Sequence, residues 1–224
     1  MGTLPAAAGV QISGRAGPRY DEILTARALE LLGDLERRFG PRRTELLGRR
    51  AERQLAFDRG ALPDFLEETK DVRAAAWSVA PAAPGLVDRR VEITGPTDKK
   101  MTVNALNSGA SVWLADFEDA TTPTWSNMVE GQINLLDALN RTIDFTTPEG
   151  RTYELHDSIA TIVARPRGWH LVESHVRVDG EPVSASLFDF TMHLCAAGLR
   201  QAELGLGAYY YLPKLESHLE ARLW

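Results

Sequence analysis

The stretch SIATIVARPRGWH, residues 158–170, joins a short apolar run to a pair of arginines. Its first part, Ile159 to Ala164, is rich in isoleucine and valine without a helical period, which is typical of a strand buried on both faces. Pro166 cannot donate a hydrogen bond to a neighbouring strand, so we expect the strand to end there. Arg165 and Arg167 would then stand at its C-terminal tip, either as a receptor for a carboxylate or phosphate or as partners in ordinary surface salt bridges.

Three further segments have the character of buried strands, and helical patterns separate them. The four predicted strands lie near residues 91–94, 112–117, 159–165 and 209–213. Two β-hairpins are expected as insertions, at 142–156 and 176–183, and Asp179-Gly180 is a strong turn signal in the second. Strands that alternate with helices pair in parallel through right-handed crossovers.

This alternation predicts an α/β fold, with two architectures to choose between. We favour the (β/α)8 TIM-barrel type, first half only, because polar side chains follow the strands at their C-terminal ends, where barrels build active sites. A doubly wound open sheet is the alternative. It normally carries a glycine-rich phosphate loop after its first strand, and no such loop is evident in the sequence.

Composition divides the chain into four parts. A glycine- and alanine-rich leader that we expect to be mobile is followed by an all-helical domain, a proline-containing linker and the predicted barrel half. These parts cover residues 1–19, 20–77, 78–89 and 90–224. Within the helical domain, Gly40-Pro41 is expected to end the first helix. Asp64, with Glu67 three residues later, predicts the start of a third helix.

The overall composition argues against several classes of protein. The net charge of −6 and the acids interleaved among the arginines of the helical domain favour solvated helix faces over nucleic-acid binding. No apolar run approaches the roughly 18–20 residues that cross a bilayer. The single Cys195 excludes a disulfide framework and fits a reducing cytoplasm. We therefore expect a cytoplasmic protein with neither nucleic-acid nor membrane partners.

An acidic cluster follows the second predicted strand. Asp116, Glu118 and Asp119 offer hard oxygen atoms, which Mg²⁺ prefers and binds either directly or through water. Alternatively, these side chains cap the next helix or pair with a neighbouring arginine, and spacing alone favours that role.

Longer strings carry a resemblance that covers nearly the whole chain. The chain resembles the A-type malate synthases in LPDFLEET (62–69), RRVEITGPTDKKM (89–101), NALNSGASVWLADFEDATTPTW (104–125), EGQINLLDA (130–138), ARPRGWHLVESHV (164–176), SLFDF (186–190) and YYYLPKLESHLEARLW (209–224). The resemblance implies an N-terminal helical segment and an eight-stranded α/β barrel. It also implies the magnesium-dependent condensation of acetyl-CoA with glyoxylate and water to give malate and CoA.

The resemblance assigns roles to residues at the predicted strand tips. Arg165 resembles the catalytic arginine that offsets the negative charge of the acetyl-CoA enolate, and Arg167 would support it or its loop. Asp116, Glu118 and Asp119 resemble groups that surround the substrate and the waters around the magnesium ion.

Contacts with acetyl-CoA are implied near Thr97, Lys99 and Lys100, and Ala120 departs from the serine expected at a further CoA contact. The family's direct metal ligands, a glutamate and an aspartate, and its aspartate base are implied to lie beyond Trp224. We therefore expect no metal ligand in this chain, which resembles the first part of a malate synthase and should be inactive alone. Its partners would be the missing C-terminal half or a second copy joined through open barrel edges.

Two other functions stay open. A citrate-lyase-like enzyme that acts on CoA thioesters would use a similar barrel and acidic motif, although SLFDF and YLPKLESHLEARLW argue against it. A non-catalytic interaction fragment is the alternative from a different class.

Overall fold

The computed structural model describes residues 7–224, and from residue 92 onward the strands of the central sheet alternate with helices, with two β-hairpins inserted between them. The strands are β1 (Val10–Ile12), β2 (Glu92–Gly95), β3 (Val112–Asp116), β4 (Asp144–Thr146), β5 (Thr152–Glu154), β6 (Thr161–Arg165), β7 (Val172–Val178), β8 (Glu181–Ser184) and β9 (Tyr209–Tyr210). The helices are α1 (Ala26–Asp58), α2 (Lys70–Ala74), α3 (Lys99–Leu106), α4 (Trp125–Leu139), α5 (Ala185–His193), α6 (Leu199–Glu203) and α7 (His218–Leu223). A π-helical turn, Leu194–Gly198, joins α5 to α6.

The central sheet has the strand order β2-β3-β6-β9, and all its strands are parallel. These are the four strands predicted from the sequence. Each of the four pairs with the one that follows it among them along the chain. Helices α3, α4 and α5–α6 lie in the three connections, with the β4–β5 and β7–β8 hairpins inserted. The mixed α/β class is therefore confirmed. Within residues 7–224 the sheet does not close into a barrel, because β2 and β9 each pair on one side only.

The two faces of this sheet have different surroundings, because successive strand residues point to opposite sides. Trp113 and Ile162 belong to the main core, where α3, α4 and α5 contribute side chains such as Leu106, Met128 and Phe188. We call this side the Trp113 face. Burial of a side chain as large as Phe188 stabilises the fold by about 1.5–3 kcal/mol.

The opposite side, the Leu114 face, carries a much smaller apolar cluster. Val112, Leu114 and Val163 are buried there against Leu86 and Tyr209. Side-chain alternation places the last residues of β3 and β6 on this same face, beyond the apolar cluster.

The predicted mobile leader, residues 1–19, needs correction where the structure describes it. Val10–Ile12 form β1, which pairs antiparallel with β7, and β8 completes a three-stranded sheet. The backbone N–H of Ser13 continues this pairing by donating to the His175 carbonyl at 2.8 Å. A three-residue strand is too short for alternation to predict it, and its partner lies more than 160 residues away. Residues 1–6 lie outside the described part.

The prediction that Gly40-Pro41 ends a helix is wrong, because α1 continues through both residues. Pro41 has no N–H to donate to the Arg37 carbonyl, and an internal proline costs about 3 kcal/mol or more. Side chains on both sides of it are buried against the same body of the protein: Leu29 and Leu32 before it, Arg43 and Leu46 after it. Tertiary packing therefore outweighs the local break.

The third helix predicted from Asp64 is also reduced. Glu67–Thr69 form a 3-10 turn, and only the five-residue α2 follows it. The Asp64 side chain accepts a hydrogen bond from the adjacent Phe65 N–H, and Thr69 precedes α2 without a side-chain cap.

None of the helices between residues 7 and 224 is long and apolar enough to cross a bilayer.

Candidate active site

The C-terminal tips of β3 and β6 lie side by side and carry an ion pair. Asp116 and Arg165 are opposite each other in the parallel register, and both lie on the Leu114 face. Arg165 Nε donates to Asp116 Oδ1 at 2.8 Å, and Nη2 donates to Oδ2 at 2.5 Å, a bidentate arrangement that fixes the guanidinium plane. The Arg165 side chain is 15% exposed, so part of it stays accessible to a ligand.

Asp116 also organises the loop that follows β3. Its Oδ1 accepts from the backbone N–H groups of Glu118 and Asp119, and its Oδ2 accepts from Ala120 at 2.8 Å. Burial alone would raise the pKa of Asp116, but the hydrogen bonds from Arg165 and from this backbone outweigh burial and lower it. The carboxylate is therefore ionised near neutral pH and holds both the arginine and the loop.

Asp119 extends the site toward β9. One of its oxygens lies 3.2 Å from Arg165 Nη2, and Lys214 Nζ lies 3.1 Å from both oxygens. The ring centroid of Tyr211 lies 5.9 Å from the Arg165 guanidinium carbon. Hydrogen bonding to Asp116 raises the pKa of Arg165 despite its partial burial. The tips of three strands thus meet around one accessible guanidinium.

Glu118 links the loops that follow β3 and β6. Its buried Oε2 accepts a hydrogen bond from the Gly168 N–H at 2.5 Å. Its Oε1 lies 4.0 Å from His170 Nε2, beyond hydrogen-bond distance. Glu118 therefore keeps acceptor capacity on one oxygen beside the Arg165 loop.

Arg167 stands two residues after Arg165 but has a different environment. Its side chain is 3% exposed, and it donates to both oxygens of Asp189 on α5 at 2.8 and 2.9 Å. Its Nη1 lies 3.0 Å from Glu173 on β7. Burial opposes the charge, but these two carboxylates raise the pKa of Arg167 above its ordinary value. Arg167 therefore joins the loop after β6 to α5 and β7, and it does not contact the Asp116–Arg165 pair through these bonds.

A cleft adjoins the site on the side of β2. Its volume is about 570 Å³, and Thr97, Lys99 and Arg19 are among its lining residues. Ala120 to Thr122 line it too, which connects the cleft to the Asp116 loop. Thr97 is buried and does not cap α3, because Asp98 accepts the capping hydrogen bond from Met101.

Lys100 is not among the residues that line this cleft. Its Nζ lies 5.5 Å from the Tyr153 ring centroid in the β4–β5 hairpin. Of the three residues with implied acetyl-CoA contacts, the structure therefore brings Thr97 and Lys99 together and separates Lys100.

The acidic side chains of the site do not form a metal-binding set by themselves. Across residues 7–224, no group of three or more His, Cys, Asp or Glu side chains is arranged to hold a metal ion. Both Asp116 oxygens are occupied by backbone N–H groups and Arg165. Glu118 and Asp119 keep acceptor capacity for water molecules. Pairing with arginine, the alternative role for this acidic cluster, is what the structure shows for Asp116 and Asp119.

Sequence reasoning missed two arginines of α1 that contact the site's loops. Arg43 donates to the backbone carbonyls of Trp169 and Leu171, and Arg50 donates to the carbonyl of Lys214. The acids interleaved along this helix predict a solvated face for both arginines instead. Their seven-residue spacing places them on one side of α1 together with the buried Leu46, and that periodicity is the signal that distinguishes them.

Two family models match the chain. The malate synthase N-terminal domain matches residues 8–71, and the malate synthase TIM barrel domain matches residues 161–224. A malate synthase of Myxococcus xanthus is 54% identical over 216 residues, covering 96% of this chain and 40% of the relative. One of Streptomyces clavuligerus is 55% identical over 218 residues, covering 95% and 40%. A glyoxysomal malate synthase of Candida tropicalis is 48% identical over 221 residues, covering 96% and 40%. The chain thus spans about 40% of the length of these relatives.

Proposed function

This chain belongs to the malate synthase family, and we propose that it supplies the Arg165 side of an active site that condenses acetyl-CoA with glyoxylate and water. The products would be malate and CoA. The observation that carries the proposal is the Asp116–Arg165 pair at adjacent parallel strand tips, with part of the guanidinium accessible.

Arg165 would act on the charge that develops during the reaction. Removal of a methyl proton from acetyl-CoA creates an enolate, and a fixed guanidinium beside the enolate oxygen stabilises that charge without reorganising. Asp116 keeps the guanidinium plane in one orientation. Tyr211, on the same face of the sheet, would wall the pocket beside it.

The cleft lined by Thr97 and Lys99 supports a role in acetyl-CoA binding. It opens beside the Asp116 loop, and Lys99 in its lining would bind a phosphate of a nucleotide, whereas Arg19 is already paired with Asp137 and Glu22. Ala120, which replaces the expected serine, lines the same cleft and would contribute contact area but no hydroxyl group.

Magnesium, when bound, would polarise the glyoxylate aldehyde. The acidic residues described above do not form its direct ligand set. We propose that direct ligands come from the part of the family's length that this chain does not span. Glu118 and Asp119 would accept hydrogen bonds from waters at the edge of that site.

We further propose that the β2-β3-β6-β9 sheet is the first half of a TIM barrel. The parallel strands follow chain order, and the TIM barrel model of the family matches residues 161–224. The free edges of β2 and β9 would each pair with another strand. That strand would come from the part of the relatives' length that this chain does not span, or from a second copy of the chain. The compartment stays a prediction, for which the single Cys195 favours a reducing environment such as the cytoplasm.

Release of CoA thiol tests the proposal. With acetyl-CoA, glyoxylate and Mg²⁺, we expect no turnover by this chain alone. We expect turnover once a polypeptide covering the remaining length of a relative is supplied. Turnover by the chain alone would show that the essential magnesium ligands lie within this chain. If the Arg165→Ala variant, supplemented with the same polypeptide, keeps full activity, the proposed role of Arg165 is rejected.

A non-catalytic interaction role is the second candidate, and exposed apolar side chains favour it. Leu62, Phe65, Trp77, Val79 and Val87 are each more than 60% exposed. A supplemented chain that forms a stable complex but never releases CoA would support this role. Cleavage of a hydroxyacyl-CoA into acetyl-CoA and an oxo acid, without release of free thiol, would instead point to a citrate-lyase-like reaction on CoA thioesters.

A further inference from the structure

One side of α1 carries three arginines that contact the loops after β6 and β9. Arg43, Arg50 and Arg53 are spaced by seven and three residues, which places them on one side of the helix. Arg53 donates to the Glu216 carbonyl at 2.7 Å, after β9. The loops that follow the Arg165 strand and the last strand of the sheet are therefore both held by one N-terminal helix.

Arg43 binds the loop after β6 through carbonyl groups. Its Nε donates to the Trp169 carbonyl at 2.6 Å, and its Nη2 donates to the Leu171 carbonyl at 3.1 Å. Burial lowers the pKa of Arg43, and the charge of Glu36 only partly opposes this effect. A buried guanidinium is expensive unless its donors are satisfied. The Trp169 carbonyl follows directly after Gly168, whose N–H binds Glu118, so this contact holds the loop that meets the acidic cluster.

Arg50 binds the loop after β9 at a strained residue. It donates to both oxygens of Glu220 at 2.7 and 2.8 Å and to the Lys214 carbonyl at 2.7 Å. Lys214 has a backbone φ of 54°, a left-handed conformation that is unfavourable for a residue with a Cβ atom. From this turn the Lys214 ammonium reaches Asp119, which also contacts Arg165.

We propose that Arg43 and Arg50 are positioning residues for the active site. Arg43 sets the loop that joins Gly168 to Glu118, and Arg50 sets the turn from which Lys214 holds Asp119 beside Arg165. The importance of Arg165 rests on the proposed function, but the geometric claim does not. Helix α1 therefore controls the shape of the site through its contacts with two of the loops that form it.

Nuclear magnetic resonance of the ¹⁵N-labelled chain tests this without substrate. Arg43→Met should shift the Gly168 amide resonance, and Arg50→Met should shift the Asp119 amide and the Arg165 Nε–H resonances. The matched control is Arg49→Met, because Arg49 lies on the exposed side of α1 and pairs only one turn away with Glu45 at 2.7 Å. Shifts at the three site resonances should exceed those in the control.

A merely structural role would lower the melting temperature without moving these resonances, and that result would overturn the proposal. Arg43→Lys keeps the charge and one donor group, so it should restore part of the Gly168 shift. If Arg43→Met does not fold, Arg50→Met decides, since its side chain is less buried. Site resonances that move as expected in a chain whose supplemented form never releases CoA would reject the proposed function and leave the positioning role intact.

Discussion

Arg165 and Arg167 lie two residues apart at the tip of the same strand, and their environments are opposite. Arg165 has one buried carboxylate partner, reaches a second that is half exposed, and keeps part of its guanidinium accessible. Arg167 is enclosed by Asp189 and Glu173, with little exposure on any of the three side chains. The difference shows that an accessible charged side chain can contact a substrate, whereas an enclosed one can only stabilise the fold.

Breaking the enclosed cluster should have the largest effect. Arg167→Met leaves Asp189 and Glu173 buried without their cation, and removal of one partner from a buried pair costs about 3–5 kcal/mol. The free energy of unfolding, measured by urea denaturation, should fall by that amount or the chain should fail to fold.

Arg165→Met is the matched control for this experiment. It removes the same group from a partly exposed position, so its loss of stability should be clearly smaller. Equal losses in the two variants would contradict the distinction between an accessible arginine and an enclosed one.

Substitution of the accessible Arg165 should instead have its main effect on the rate of the reaction. In an active, supplemented enzyme, Arg165→Lys should lower kcat by about 10²–10³-fold, the effect typical of losing one fixed charge-stabilising donor. The physical reason is that lysine is a point charge and cannot reproduce the planar, bidentate contact with Asp116. Circular dichroism should show an unchanged fold, and a near-normal kcat would refute the assigned role.

The smallest expected effect is on the pH dependence of stability. Burial raises the pKa of Asp116, but its hydrogen bonds lower it to a net value below the ordinary one. The unfolded chain therefore binds this proton more readily than the folded chain. The stabilisation is complete above the unfolded pKa of about 3.9 and is lost as the pH falls through the lower folded value.

Urea denaturation across the acid range measures this contribution. Asp116→Asn cannot ionise, so its stability should depend less steeply on pH below about 4. Because the variant also loses charge pairing, the comparison is between slopes and not absolute stabilities. Parallel slopes in the two proteins would show that Asp116 does not gain its low pKa from folding.

Several features of the fold were predictable because they depend on neighbours in the sequence. Short, continuous apolar runs without a helical period predicted the four parallel strands, and Asp179-Gly180 predicted the β7–β8 turn. The Asp116–Arg165 contact also follows from this level, since both residues end adjacent buried strands. Of the residues with implied acetyl-CoA contacts, Thr97 and Lys99 line one cleft, while Lys100 turns toward Tyr153 in an inserted hairpin.

By itself, the sequence determined that parallel strands end in a cluster of acids and arginines, because apolar runs and the prolines and glycines that end them are local properties. Only the tertiary structure decided which arginine remains accessible, that α1 continues through Pro41, and that Arg43 and Arg50 reach the site. Each of these depends on partners far along the chain: Arg50 and Glu220 are 170 residues apart, and Arg43 and Trp169 are 126 apart. A local pattern contains no information about such distances, since they are set by how the helices and the sheet pack together.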